Sequence, residues 1–146
     1  MMNDDLLRRT ADELEIRNVI FRLAMLGDAG DLNEYASLFT EDGVWEVRFT
    51  PAPGQKFEPL RGRASILAAA KQRRANGTQG PGTHMYHLIL TTSVSLAGDS
   101  ANARSYLAFL NAAQAKPEIA LFTIYSDEFR RTAEGWRLAA RYINAA

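Results

Sequence analysis

The side chains best suited to moving a proton near neutral pH are scarce in this sequence and close together. The chain has two histidines, His84 and His87, both within the stretch THMYHLIL. Imidazole is the group whose ordinary titration lies nearest neutrality, so a histidine at the mouth of an apolar run reads either as a general base or as a half-buried strand histidine satisfied by a backbone carbonyl. His87 opens the apolar run HLILTTSV. Strand alternation places it on one face with Ile89 and Thr91, provided no bulge intervenes. His84, three residues earlier, faces the other way in a regular strand and stands as the reserve base. A pair pointing apart makes a poor metal site. The chain also lacks cysteine and has no helix with His at i and i+4, so the site is expected to hold neither metal nor cofactor.

The carboxylate that could serve such a base is Asp28. It lies four residues after Ala24 and eight after Ile20, continuing the apolar stripe of the first helix. It also falls at that helix's C-terminal end, where the helix dipole disfavours an acid. An acid poorly placed on both counts reads either as a turn residue beside Gly27 and Gly30 or as a group kept for function. Asp31 already has a structural task. With Glu34 three residues on, it forms a capping-box pattern. Thr123 and Tyr125 share a face of the stretch LFTIYSDEF, and a tyrosine hydroxyl in an apolar pocket can donate to a developing oxyanion. Asn111, at the end of its strand, is a further pocket amide. Arg141 is expected to close the sheet by pairing with a carboxylate.

The elements that must position these groups are readable from spacing. Apolar residues at Ile16, Val19, Ile20, Leu23 and Ala24 predict a first helix from Asp12 to Gly27. A short second helix begins at DLNEYASLF. Val44 to Phe49 reads as a first strand, and the proline-rich TPAPGQKFEPL as a loop or an irregular ribbon. GRASILAAAKQRRANG is a third helix with basic residues in its last turn. Four more strands follow, with turns at Gly98-Asp99 and Glu134-Gly135. Three helices, one early strand and a four-strand meander predict an α+β fold, a curved and mostly antiparallel sheet with helices on its inner face. At 146 residues without a linker or repeat, one domain over 1–146 is expected.

Seventeen basic residues balance seventeen acidic ones, which leaves no footprint for nucleic acid or an anionic membrane. The N-terminal MMNDDLLRRT has no apolar run resembling a signal peptide, and no stretch reaches membrane-spanning length. A cytoplasmic protein is the expectation.

The stretches EIRNVIFRLAMLGDAGDLNEYASLFTEDGVWEV, YHLILTTSVSLAGDSANARSYLAFL and YSDEFRRTAEGWRLAARYI resemble the SnoaL-like family of the nuclear-transport-factor-like superfamily. The likeness runs from about Asp12 to Ile143. It implies a cone-shaped fold around an apolar pocket, with a homodimer or higher homo-oligomer formed through the outer sheet face. In scytalone-dehydratase-like and dehydrochlorinase-like members the residue matching Asp28 orients a catalytic histidine matching His87, and Thr123 and Tyr125 fall among the pocket's polar groups. A different match, to the H-M-x-H of bile-acid-dehydratase-like members, shifts the base to His84. Two positions depart from relatives: Leu23 stands where a catalytic tyrosine is common, and Val47 where isomerase-type members carry an aspartate. Both are expected to line the pocket. The resemblance therefore implies a cofactor-independent lyase or dehydratase, working through an Asp–His dyad on a small, largely apolar, carbonyl- or ring-containing metabolite. The alternatives are a non-catalytic small subunit like those of ring-hydroxylating dioxygenases, and a small-molecule-binding module.

Overall fold

A computed structural model describes residues 3–146. The first helix, α1, spans Asp4–Ala29 and is longer at its start than apolar spacing predicts. Asn3 explains the extension: its side chain accepts the Asp5 N–H at 3.0 Å, and Asp4 and Asp5 sit at the positive end of the helix dipole. The inward stripe is Asp12, Ile16, Val19, Ile20 and Leu23. Gly27, expected to break the helix, is helical. Gly30 is the C-cap, its N–H returning to the Leu26 carbonyl at 2.9 Å. A Cβ on Gly30 would lie 2.9 Å from Leu26 Cα, so glycine is needed there for close approach.

Helix α2, Leu32–Ser37, starts as expected at Asp31, whose carboxylate accepts the N–H groups of Asn33 at 2.7 Å and Glu34 at 3.0 Å. Only half of the capping box forms, because the Glu34 carboxylate is taken by Arg22. Helix α3 covers Arg63–Ala75.

Six strands form one sheet: β1 (Phe39–Val47), β2 (Leu60–Arg61), β3 (Met85–Ala97), β4 (Ser100–Asn111), β5 (Glu118–Thr132) and β6 (Gly135–Ala145). Their order is β2-β1-β6-β5-β4-β3. The meander β3 to β6 is antiparallel, with its first turn at Gly98-Asp99 and its last before Gly135. Three features differ from the sequence expectation. β1 begins at Phe39 rather than Val44, runs parallel to β6, and shifts register between Phe39 and Val44. The polar residues Thr40, Glu41 and Asp42 hide that beginning from a hydrophobic pattern. The end of the stretch expected to be a loop or an irregular ribbon enters the two-residue β2 at Leu60. The third is a register shift in β3 between Ile89 and Thr92. Across it Ile89 and Thr92 are half-buried while Leu90 and Thr91 are both exposed, so Thr91 does not share the face of His87.

The helices pack on the concave face around Ile16, Ile20, Phe39, Phe129, Trp136 and Leu138. A polar node ties α1 to the β5–β6 hairpin. Asp12 accepts two hydrogen bonds from Arg131, at 2.8 and 2.7 Å, and one from the Trp136 indole at 2.9 Å. Those donors, the arginine first, hold the Asp12 carboxyl down at about 2 from an ordinary 3.8. A depressed folded-state value means stability that is present above pH 4 and lost as pH falls toward 2. Asp12→Asn is therefore expected to flatten the acid limb of the stability curve between pH 4 and 2. The difference, read from urea unfolding at each pH, is on the order of 1–2 kcal/mol. An unchanged acid limb rejects the assignment.

Candidate active site

Asp28 lies in the last turn of α1, and His87 is the third residue of β3. They meet twice. Asp28 Oδ1 is 2.5 Å from His87 Nδ1, and Asp28 Oδ2 accepts the His87 backbone N–H at 2.9 Å. Both side chains are largely buried, at 11% and 16% exposure. The second bond fixes the carboxylate to the strand itself, so the ring and its partner keep one geometry. Phe109, opposite His87 on β4, stacks tilted against the imidazole at 4.6 Å between centroids.

An acid at a helix C-terminus is unfavourable unless the carbonyl ends there are answered. Arg74 of α3 answers them, donating to the carbonyls of Gly30 at 2.8 Å, Leu26 at 3.1 Å and Gly27 at 3.2 Å. The dipole that disfavours Asp28 is thus offset by a guanidinium from another helix.

His87 lines a cleft between the helices and the sheet, with Leu23, Trp45, Tyr35, Arg73 and Tyr125 among its other walls. Counted out to its open mouth, the cleft holds about 530 Å³ of atom-free space. That is a slot with room for a small ligand. Tyr125 is buried at 5% exposure, and burial pushes its hydroxyl far above the ordinary phenol value, so it stays a proton donor. Arg141 lies over its ring at 4.1 Å and makes a two-point pair with Asp127, both bonds 2.8 Å. That pair is the sheet closure expected of Arg141, formed by residues directly opposite on β5 and β6. Arg141 also reaches the cleft wall.

The structure thus brings Asp28, His87, Tyr125 and Leu23 together. It does not bring Thr123, Val47 or Asn111 to the cleft wall. Thr123 is buried between β4 and β6, its hydroxyl without a partner. Val47 packs on the cluster of Leu107, Tyr125 and Ile143 behind the wall. Asn111 is used in a turn, accepting the Ala113 N–H at 3.0 Å. His84 is exposed, precedes β3 and takes a left-handed φ of 56°, so the two histidines do not converge. Among the described residues no group of three His, Asp or Glu side chains is arranged to hold a metal ion. No helix there is long and apolar enough to cross a membrane.

Sequence reasoning missed Arg73, Arg74 and Trp45 as wall residues. The two arginines were visible only as basic residues closing α3, where they also suit the dipole. Their reach into the cleft depends on how α3 lies against α2 and β1, which spacing does not encode.

The SnoaL-like domain model matches residues 8–142. The chain belongs to the SnoaL-like family. Its fold is that of NTF2-like proteins. One solved relative, an NTF2-like protein with a cystatin-like fold from Novosphingobium aromaticivorans, is 29% identical over 96% of this chain and 85% of its own, with a TM-score of 0.81. ActVI-ORFA from Streptomyces coelicolor is 25% identical over 90% of this SnoaL-like chain and 95% of its own, at a TM-score of 0.70. Rv3472 of Mycobacterium tuberculosis, at 23% identity, covers 97% of this chain and 75% of its own, at 0.79, and speaks to the fold alone. No curated protein matches.

Proposed function

We propose that this SnoaL-like protein is a cofactor-independent lyase or dehydratase that uses His87 as general base. The observation that carries the reading is the 2.5 Å contact between Asp28 Oδ1 and His87 Nδ1. A carboxylate there accepts the Nδ1 proton and leaves Nε2 as the basic nitrogen. His87 takes a proton from a carbon next to a carbonyl, breaking the C–H bond while Tyr125 donates a hydrogen bond to the carbonyl oxygen. The electron pair then forms the C=C bond as the β-substituent leaves with its own pair. If that group is hydroxide, the imidazolium returns its proton and water departs. Asp28 stabilises the imidazolium meanwhile, as the carboxylate does in a catalytic triad.

The tautomer is the first thing to test. In ¹⁵N-labelled protein, His87 is expected to show a protonated Nδ1 and a bare Nε2, and Asp28→Asn to disturb that state while His84 is unaffected. An Nε2-protonated His87 in the wild type removes the base.

A second proposal concerns partners. The outer face of β3, β4 and β5 exposes Tyr86, Leu88, Leu90, Tyr106 and Phe122 on neighbouring strands. A contiguous apolar face of this kind suits burial against a second copy. Light scattering is expected to give twice the 16.2 kDa chain mass, and Leu88→Arg to give the monomer. A wild-type monomer at tens of micromolar rejects the homodimer.

A further inference from the structure

The cleft wall carries three arginines, Arg73, Arg74 and Arg141, and no carboxylate. Two of the cations are already answered. Arg141 has Asp127, and Arg74 has the three carbonyls at the end of α1. The acids near the cleft are engaged as well: each Asp28 oxygen is bound by His87, and both Asp127 oxygens by Arg141. Arg73 differs. It makes no salt bridge and no side-chain hydrogen bond among the described residues; the Nε of each of Arg73 and Arg74 is buried without an acceptor, but the terminal nitrogens of Arg74 are answered and those of Arg73 are not. Its guanidinium lies 5.1 Å from the centre of the Trp45 ring, a contact that sets the position of the group and uses none of its N–H donors.

A guanidinium whose terminal N–H groups have no protein acceptor and face a cleft offers those two nitrogens as a fork that fits a carboxylate. We propose that Arg73 is the ligand-binding residue that selects a small apolar carboxylic acid, holding the carboxylate while the rest of the molecule lies in the slot beside Trp45. The proposal rests on the same cleft as the catalytic reading and deepens it. The substrate is an acid, bound at one end by Arg73, with its reacting carbon toward His87.

Benzoate and benzamide form a matched pair of probes: nearly the same shape, with and without the charge. Titrated into ¹⁵N-labelled protein, benzoate is expected to bind at millimolar concentration and to shift the signals of α3 and the Trp45 indole. Benzamide is expected to bind at least ~10-fold more weakly, the scale of a charge-assisted pair against a neutral one. Arg73→Gln removes that preference, and Arg73→Lys restores part of it. Equal binding of both probes, no benzoate binding, or a preference that survives Arg73→Gln overturns the proposal. Repeating the titration in His87→Gln keeps the two readings apart. Benzoate selectivity there depends only on Arg73, so a failed base leaves it standing, and a failed selectivity leaves the dyad untouched.

Discussion

His87→Gln is expected to lower kcat by ~10²–10⁴ on any substrate the wild type turns over, the usual worth of a positioned general base. Glutamine keeps much of the volume against Phe109 but has no nitrogen basic enough to take a proton. KM is expected to change little, because glutamine keeps much of the bulk of His87 in the wall and the other wall residues are untouched. Asp28→Asn tests the other half of the dyad. Asparagine can present an N–H to Nδ1, which favours the tautomer with its proton on Nε2 and so blocks the basic nitrogen. Its loss of rate is expected to approach that of His87→Gln. The double variant is expected to be little worse than either single one, since the two residues act as a unit. Screening β-hydroxy ketones, β-hydroxy acids and halogenated rings supplies the substrate for these comparisons. If His87→Gln retains full turnover, His87 is not the base and the dyad is structural.

Arg141→Met is expected to destabilise the protein by roughly 3–5 kcal/mol, read from urea unfolding. Asp127 has no exposed side-chain surface and Arg141 only 5%, so removing the cation strands a buried carboxylate on β5. Removing both charges is a different matter. Asp127→Leu combined with Arg141→Met replaces the pair by apolar groups and is expected to recover most of the loss, because a buried ion pair gains little over well-packed hydrocarbon. A single substitution costing under about 1 kcal/mol contradicts this account. The pair also positions Tyr125, whose ring lies under the guanidinium. The double variant, once folded, is thus expected to show a lowered kcat with a normal melting profile.

Much of this site is written locally. The Asp28 position follows from the α1 stripe, and the His87 position from strand alternation, each fixed within a few residues. Their meeting required the SnoaL-like fold, since 59 residues separate them. The N-cap at Asp31 and the turn at Gly98 were legible because capping and tight turns are short-range chemistry. What escaped was long-range. The parallel pairing of β1 with β6 joins Phe39 to Leu138, and no local pattern announces it. Asn111 was read as a pocket amide when it serves a turn next to it, a competition that asparagine often settles in favour of the backbone. Arg73 and Arg74 illustrate the same limit: helix-end arginines look alike in sequence, and only the placing of α3 beside the end of α1 gives one a set of carbonyls and the other none.

The register shift in β3 has a bearing on insertions and deletions. Losing one residue from a half-buried strand ordinarily turns everything beyond it inside out. Here Leu90 and Thr91 both face outward, so removing Thr91 would restore strict alternation: His87, Ile89, Thr92, Val94 and Leu96 would all still face inward. The strand would lose its bend and keep its faces. A SnoaL-like sequence one residue shorter at this point can therefore be matched with its gap opposite Thr91, and the base keeps its place in the cleft.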